Sequence, residues 1–336
     1  MKLTNKNKLP EIVYNNLAFY NEARRKGQEG SNADFSVTEL LQPPCYVTIK
    51  KRHRHEIEQD VSDMLYLLQG QVMHQLMENA SGGIIKQLRK TCNMLSDEDK
   101  TGTLLTRISS ALRRLTNKYK SKLLIEERQT LEFGDFVISG TPDSLDLITH
   151  TLLDYKYAGV KSAQNNKQKY FDQTNIYRYM LGKAGYQVDK VEIIIWYRDW
   201  MQTKVWTEFD YPKAAIESIN APIYSEAYVE KLLADRLEIL ARMAKIPTPD
   251  LPACSPDERF QNPDKFAVMK GSNKRASRLF DTYEDAQRMI DTAGWDAVVE
   301  VRKSEPKKCI SYCDVNNFCP FYRAYTEQGS GNGRKG

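Results

Sequence analysis

The sequence predicts a mixed α/β protein of the α+β kind, in which helices flank a central mixed sheet and a small α+β module follows. Three observations support this prediction. Apolar residues recur at helical spacing through most of the first 120 residues. Alternating apolar and polar residues then dominate positions 122–158, with turn signals between the runs. A proline-rich segment, IPTPDLPACSP at 246–256, separates this core from a second group of short elements.

The N-terminal region is predicted to be mainly helical, and prolines and glycines set its boundaries. Gly27 ends the first helix, and Pro43 and Pro44 halt a short helical turn. The predicted helical ranges are 9–27, 36–45, 60–79, 83–96 and 101–119.

Strand character follows, beginning with a hairpin. Gly134 and Asp135 form a turn signal between two alternating runs, and TLLDYKYA at 151–158 predicts a third strand. The apolar run VEIIIWYR predicts a strand in the interior of the sheet. The remaining predictions are a helix at 162–184, a strand at 191–198, an edge strand at 204–211 and a helix at 213–244 interrupted near Pro222.

The proline-rich segment divides the chain into a core at 1–245 and a small module at 246–320. Two strands, a helix and a strand are expected in the module, and cysteines bracket it. The polar, glycine-containing end of the chain is expected to be disordered over 321–336.

The composition indicates a soluble protein without a membrane partner. No apolar run approaches the roughly 20 residues that a membrane-spanning helix needs, and the N-terminus lacks the apolar stretch of a signal peptide. A cytoplasmic location is therefore expected. The net charge of +5, from 49 Lys and Arg against 44 Asp and Glu, points only weakly to a polyanionic partner. The basic run KKRHRH at 50–55 fits either such a partner or a solvated face.

Two carboxylates and a lysine lie at the ends of a predicted turn between strands. Asp154 and Lys156 are two residues apart and share one face of a strand, and a hairpin can bring Asp143 beside them. Carboxylate and carbonyl oxygens suit Mg²⁺, and a lysine beside the metal can orient a water. An ordinary hairpin with solvated charges is the alternative explanation.

Four short motifs that follow one another along the chain favour the metal site over the solvated hairpin. They are Gly70-x-x-x-His74, Gly140-Thr-Pro-Asp143, Asp154-Tyr-Lys156 and Gln173-x-x-x-Tyr177. This series resembles the PD-(D/E)XK nuclease superfamily and, within it, the RecB-type branch, over roughly residues 36–200. The resemblance implies a restriction-endonuclease-like core.

The resemblance also implies a role for each motif residue. Asp143 and Asp154 would bind Mg²⁺ or Mn²⁺ with the carbonyl of Tyr155, and Lys156 would position the attacking water. His74 would be a further metal ligand, and an imidazole ligand favours acceptance of Mn²⁺. Gln173 and Tyr177 would brace the site and contact the DNA strand.

The cysteines suggest a second metal site. Cys309, Cys313 and Cys319 lie within eleven residues, a spacing that favours metal binding over coincidence in a reducing compartment. Exonucleases similar to AddB and to CRISPR-associated enzymes hold a [4Fe–4S] cluster with such a trio and one distant cysteine. The first spacing here has one extra residue, so zinc is the alternative. Cys254 is the favoured fourth ligand and Cys45 its competitor, while Cys92 is expected to pack in a helix.

Together these features predict a metal-dependent DNA exonuclease. It would process single-stranded or duplex ends in recombination, repair or replication, with proteins of those pathways as candidate partners. A stand-alone enzyme of the kind that phages encode is expected, which would act in the bacterial cytoplasm. Two alternatives stay open: a non-catalytic nucleic-acid-binding protein that keeps the fold, and an endonuclease of the restriction type.

Overall fold

A computed structural model describes residues 2–15, 17–19, 32–78, 123–271, 273 and 275–329. The helices predicted at 83–96 and 101–119, with Cys92, lie outside the described residues. Residues 11–15 and 17–19 of the helix predicted at 9–27 are helical. The chain divides into two compact units, a larger one of Leu3–Gln42 and Gln59–Glu238, and a smaller one built from Pro43–Glu58 and the chain from Ile239 onward.

A mixed five-stranded sheet forms the centre of the larger unit. Its strand order is β10-β9-β8-β7-β4, and only β8 and β9 run parallel, with all other neighbours antiparallel. The strands are β4 (Leu123–Ile125), β7 (Ser144–Asp146), β8 (Thr151–Ala158), β9 (Lys190–Tyr197) and β10 (Ile216–Asn220).

A second sheet of three strands, in the order β2-β6-β5, belongs to the same unit. Its hairpin turns at Gly134, whose φ of +58° is in the left-handed region that glycine adopts readily. Another pair of short strands, β1 and β3, stands apart. The bounds are β1 (Lys2–Thr4), β2 (Phe35–Ser36), β3 (Glu58–Asp60), β5 (Gln129–Phe133) and β6 (Phe136–Gly140).

The described part of the larger unit also contains helices, several of which pack against these sheets. Ser36 caps the first through a capping box with Glu39, so Val37 and Leu40 enter the core in a fixed orientation. The helices are α1 (Val37–Leu40), α3 (Leu65–Glu78), α4 (Val160–Asn165), α5 (Lys167–Lys183) and α6 (Glu226–Lys245), of which α6 continues into the smaller unit.

The mixed α/β fold predicted from the sequence is confirmed. The predicted interior strand corresponds to β9, which pairs on both sides and buries Val191, Ile193, Ile195 and Tyr197 in alternation. The crossover from β8 to β9 runs through α4 and α5, as a parallel pair requires.

Two predictions downstream of β9 are wrong. Residues 204–211 form no strand. A short 3₁₀ helix covers Gln202–Trp206, and the rings of Trp206 and Phe209 face solvent rather than a sheet. The helix predicted over 213–244 starts only at Glu226. Ile216–Asn220 instead pairs with β9 as the edge strand, because backbone pairing at an open sheet edge outweighs the weak helical pattern there.

The smaller unit begins with α2 (Pro44–Arg52), which the sequence assigned to the core region. Pro44 was expected only to end a helical turn, but it occupies the first turn of α2, where its missing N–H costs nothing. Cys45 and Ile49 of this helix pack with Leu251 and Val315. This shared apolar cluster explains why Pro43–Glu58 groups with the C-terminal unit, at variance with the predicted boundary at 245.

The predicted order of two strands, a helix and a strand occurs in the C-terminal module. Its sheet order is β12-β11-β13, and Val268, Ala286 and Ile290 form its core. Thr282 caps the helix at its start, and Gly294 ends it at φ +59°. The elements are β11 (Lys265–Lys270), β12 (Arg278–Phe280), α7 (Tyr283–Ala293) and β13 (Ala297–Arg302).

After the module, α8 (Lys307–Ser311) and α9 (Pro320–Gly329) complete the smaller unit. Disorder was expected from residue 321, whereas the described residues of this segment are helical. Phe321 and Tyr322 pack against the apolar cluster that contains Cys45 and Cys319, which gives the segment a buried face. Residues 330–336 lie outside the described chain. None of the described helices has both the length and the apolar character needed to cross a bilayer.

Candidate active site

Strand β8 carries the first half of the site. Asp154 and Lys156 point to the same face of the sheet, and the intervening residue, Tyr155, points to the other. The ammonium of Lys156 lies 2.6 Å from Asp154 Oδ2, while Asp154 is only 1% exposed. This close ion pair is made by a carboxylate oxygen that is shielded from solvent. A buried carboxylate is costly unless a cation compensates it, and here the Lys156 ammonium does so.

Asp143 supplies the second half from the junction between β6 and β7. Its Oδ2 accepts a hydrogen bond of 2.7 Å from the backbone N–H of Tyr155, which fixes the carboxylate against β8. The carbonyl of Asp143 in turn accepts a 3.0 Å hydrogen bond from the N–H of Glu126. The predicted hairpin thus brings Asp143 beside the Asp154–Lys156 pair.

The charges of the site are strongly coupled. Burial, followed by repulsion from Asp154, raises the pKa of Asp143 from 3.8 to about 8. Burial lowers the pKa of Lys156, but the attraction of Asp154 and Asp143 outweighs it, so that this pKa is raised overall. The geometry therefore holds one carboxyl group that resists ionisation beside a lysine that keeps its proton.

His74 reaches the site from α3. Its Nδ1 lies 3.6 Å from Asp143 Oδ1, too far for a hydrogen bond, and its ring donates to the backbone carbonyl of Tyr155. Burial and then the charge of Lys156 lower the pKa of His74, so the imidazole is neutral near pH 7. A neutral imidazole has a lone pair on one nitrogen, as a metal ligand requires.

The helix α5 closes the site from the other side. Gln173 Nε2 donates a 3.0 Å hydrogen bond to the hydroxyl of Tyr177. The ring of Tyr177 lies directly on Gly140, where an added Cβ would be 2.7 Å from Tyr177 Cε1. This close approach explains the glycine three residues before Asp143. No described atom comes within 4 Å of a Cβ placed on Gly70, so close packing against the described residues does not explain a glycine at that position.

Two residues at the site were missed by the sequence reasoning. The charge of Glu126, between β4 and β5, raises the pKa of both Asp143 and His74. Its φ of +44° is unusual for a side-chain-bearing residue, and no sequence pattern marks it. The ring of Tyr170 lies 5.5 Å from Lys156 Nζ. Tyr170 could have been found, because it sits one helical turn before Gln173.

The residues present fit a divalent cation by their chemistry. Asp143 and Asp154 provide hard oxygen atoms, and the carboxylate of Asp154 is buried. The mutual repulsion of the two carboxylates is what a bound cation relieves. In the described parts of the chain, however, no three His, Cys, Asp or Glu side chains are gathered closely enough to surround an ion.

Comparison with known proteins identifies the family. The family model described as PD-(D/E)XK nuclease superfamily matches residues 49–320. The chain belongs to this superfamily. A solved structure described as "Crystal structure of SSO0001" is 11% identical, covers 68% of this chain and 86% of its own, and has a TM-score of 0.42. A search of curated proteins gave no match.

Membership of the PD-(D/E)XK nuclease superfamily implies a metal-dependent nuclease, that is, a phosphodiester hydrolase with nucleic acid as its substrate. Enzymes of this superfamily typically use Mg²⁺ or Mn²⁺, which agrees with the hard oxygen ligands of the site. The match also extends through the C-terminal module to Pro320 and so includes the cysteine trio.

Five cysteines of this PD-(D/E)XK protein belong to the smaller unit, although no three of them lie close enough together in the described chain to hold an ion. Cys45 and Cys319 share one apolar cluster and Cys254 packs against it, so the two competing candidates for a fourth ligand lie in the same cluster. The charge of Cys319 also raises the pKa of Cys309 and Cys313, although burial is the largest cause for each. The neighbouring thiol of Cys45 lowers the pKa of Cys319 to about 6. All five are free thiols.

The basic run at 50–55 has mainly structural contacts. Lys50 Nζ lies 2.7 Å from Asp314 Oδ2. Arg52 donates to the carbonyls of Ala244 and Ile246 at the end of α6, at 2.8 and 2.7 Å. These bonds satisfy carbonyls that the end of a helix leaves without partners, so they stabilise the smaller unit.

Proposed function

We propose that this protein is a DNA exonuclease of the RecB-type branch that processes single-stranded or duplex ends during recombination, repair or replication, in the cytoplasm. The observation that carries the proposal is the buried Asp154–Lys156 pair beside Asp143, whose pKa is raised to about 8. A fold scaffold without catalysis has no need of such mutually repelling carboxylates, because each buried charge lowers stability.

The proposed metal site uses hard ligands from two segments. Asp143 and Asp154 would hold Mg²⁺ or Mn²⁺ together with the backbone carbonyl of Tyr155. His74 would complete the set through its neutral imidazole. When bound, such an ion would neutralise charge at the scissile phosphate and lower the pKa of a water molecule.

The proposed role of Lys156 follows from its charge. Because its pKa is raised, the side chain is an ammonium at neutral pH and cannot accept a proton. It therefore orients the attacking water and stabilises the developing negative charge on phosphate oxygens. Tyr170, whose ring lies 5.5 Å from the ammonium, helps to hold the lysine in place.

Gln173 and Tyr177 have a bracing role in this proposal. Their hydrogen bond of 3.0 Å sets the angle of the Tyr177 ring against Gly140. The contact keeps α5 and the end of β6 in a fixed position relative to each other. The DNA strand would contact the same face of α5.

Hydrolysis of labelled DNA tests the proposal. Linear DNA labelled at the 5′ or 3′ end is incubated with Mg²⁺ or Mn²⁺, beside a closed circle of the same sequence. We expect end-dependent degradation that Lys156→Met reduces at least about 100-fold. The control is Lys190→Met, which removes a lysine paired with Glu192 at the far end of β9 and should retain activity. Equal degradation of the closed circle would instead indicate an endonuclease.

We also propose that the cysteines hold a structural [4Fe–4S] cluster, with zinc as the alternative. Cys309, Cys313 and Cys319 supply three ligands, and either Cys254 or Cys45 supplies the fourth. The support is that both candidates pack in the same apolar cluster as Cys319. A set of four thiolates suits either metal.

Metal analysis of anaerobically purified protein tests the cysteine proposal. We expect stoichiometric iron with broad visible absorption, lost in whichever of Cys254→Ser and Cys45→Ser removes a ligand. Stoichiometric zinc in a colourless protein would select the alternative. Protein that contains neither metal would refute the site while leaving the nuclease proposal intact.

A further inference from the structure

The loop at 198–213, between β9 and β10, exposes two large aromatic rings. Trp206 is 84% exposed and Phe209 is 96% exposed. Burying rings of this size is strongly favourable, so two of them on one loop are unusual for a surface that binds nothing. We call residues 198–213 the aromatic loop.

The base of the aromatic loop is held in place by its own contacts. Trp200 Nε1 donates a 2.8 Å hydrogen bond to the carbonyl of Pro212, and the N–H of Met201 donates to the hydroxyl of Tyr211 at 2.9 Å. Lys204 lies over the Tyr211 ring, 5.7 Å from its centroid. The two exposed rings therefore stand on an ordered support, and a partner that covers them pays little to order the loop.

The loop leaves the sheet at the edge where the active site lies. Strands β8 and β9 are parallel, and Ala158 at the end of β8 is in register with Tyr197 at the end of β9. The N–H of Arg198, the first loop residue, donates to the carbonyl of Ala158 at 3.0 Å. Lys156 is two residues earlier on β8, about 7 Å along the strand. The start of the aromatic loop is thus adjacent to the catalytic lysine.

The elements beside the loop carry basic residues, while the loop itself holds Asp199, Glu208 and Asp210 together with three basic residues. Residues 159–171, which span α4 and the first residues of α5, contain three lysines and no acidic residue. Gln164 of α4 donates a 2.8 Å hydrogen bond to the carbonyl of Asp210, which places α4 and its Lys161 beside the loop. At the start of the loop, the guanidinium of Arg198 lies over the ring of Tyr66, 4.2 Å from the centroid. Cations on the elements that adjoin a loop with exposed rings suit a polyanion that also has flat apolar faces.

We propose that Trp206 and Phe209 form a stacking platform for the unpaired bases of single-stranded DNA whose backbone leads to the active site. Single strands offer free base faces, whereas a duplex buries them between neighbouring pairs. The lysines of residues 159–171 then face the phosphates. This inference rests on the proposed nuclease function and adds a preference for single strands near the cleavage point.

Binding without catalysis tests the platform independently of hydrolysis. A fluorescein-labelled 20-nucleotide oligothymidine and a blunt duplex of equal length are titrated in EDTA and followed by anisotropy. We expect Trp206→Ala with Phe209→Ala to weaken binding of the single strand about 10- to 100-fold, and to change duplex binding less than about twofold. The matched control is Ile148→Ala, an exposed apolar residue at the opposite end of β8.

Three outcomes would overturn the inference. The first two are an unchanged affinity of the double variant for the single strand and an equal loss of that affinity in the Ile148→Ala control. The third is a wild-type dimer that the double variant converts to a monomer, because the two rings would then form a subunit contact. Thermal unfolding of each variant verifies that the fold is retained. Failure of the wild-type protein to cleave DNA with Mg²⁺ would refute the nuclease proposal, while the EDTA titration would still report on the platform.

Discussion

Replacing Asp143 by asparagine should stabilise the metal-free protein while it abolishes nuclease activity. The raised pKa means that the folded state disfavours the ionised carboxylate, mainly because of burial and the nearby Asp154. Asparagine has nearly the same shape, carries no charge and can still accept the hydrogen bond from the N–H of Tyr155. The variant therefore removes a repulsion without opening a cavity.

The sign and size of the effect follow from proton linkage. Between pH 3.8 and about 8 the folded state retains a proton on Asp143 that the unfolded state has released. Since the folded state binds more protons there, stability falls as pH rises through this window. The shift of about four units at about 1.4 kcal/mol per unit sets an upper limit near 5–6 kcal/mol. Relaxation of the site should leave about 1–3 kcal/mol above pH 8 and little below pH 5.

Urea unfolding in EDTA from pH 5 to pH 9 measures this difference. The free energy of unfolding of Asp143→Asn should exceed that of the wild type by an amount that grows with pH. The control is Asp146→Asn, also near the site. Burial raises the pKa of Asp146, but hydrogen bonds from Ile148 and Thr149 lower it overall, so its replacement should not stabilise. A difference for Asp143→Asn that is negative, or independent of pH, would refute the reasoning.

Three further predictions use other contacts. Gly140→Ala should lower the free energy of unfolding by about 1–3 kcal/mol in thermal unfolding, because the added Cβ would lie 2.7 Å from the ring of Tyr177. Gly70→Ala should raise it by about 0.5–1 kcal/mol, because alanine favours a helix more than glycine does. Similar effects of the two variants would refute the packing argument. Arg52→Met should lower stability in urea by about 1 kcal/mol through loss of its bonds to helix-end carbonyls, and a neutral result would show that those bonds are solvated. At limiting Mn²⁺ the cleavage rate should rise with pH through about 8 and level off above it, as Asp143 loses its proton, and saturating Mn²⁺ should reduce this effect. A flat profile at limiting metal would count against Asp143 as a ligand.

The part of the site that the sequence predicted well depends on local geometry. Residues two apart on a strand share a face, so Asp154 and Lys156 could be paired from spacing alone. Alternating apolar and polar residues on both sides of a glycine-containing turn likewise predicted the hairpin near Gly134. The position of Asp143 beside Asp154 then followed from the short connection between strands.

What the sequence could not predict depends on long-range contacts or on unusual backbone. Glu126 approaches the site through a left-handed conformation that no local pattern encodes. Residues 204–211 look like a strand because their aromatic and β-branched residues favour sheets, yet Trp206 and Phe209 are not buried. Cys45 joins Cys254 only through the packing of α2 in the smaller unit, so its distance along the chain gave no guide to its position.

A crystal of the protein soaked with Mn²⁺ tests the central claim most directly, since the anomalous signal of manganese locates the ion without reference to activity. The account predicts one strong peak within coordination distance of carboxylate oxygens from both Asp143 and Asp154, with the peak absent in an Asp154→Ala crystal. A peak elsewhere in the larger unit, or none between these carboxylates, would contradict the assignment of the catalytic metal to this site.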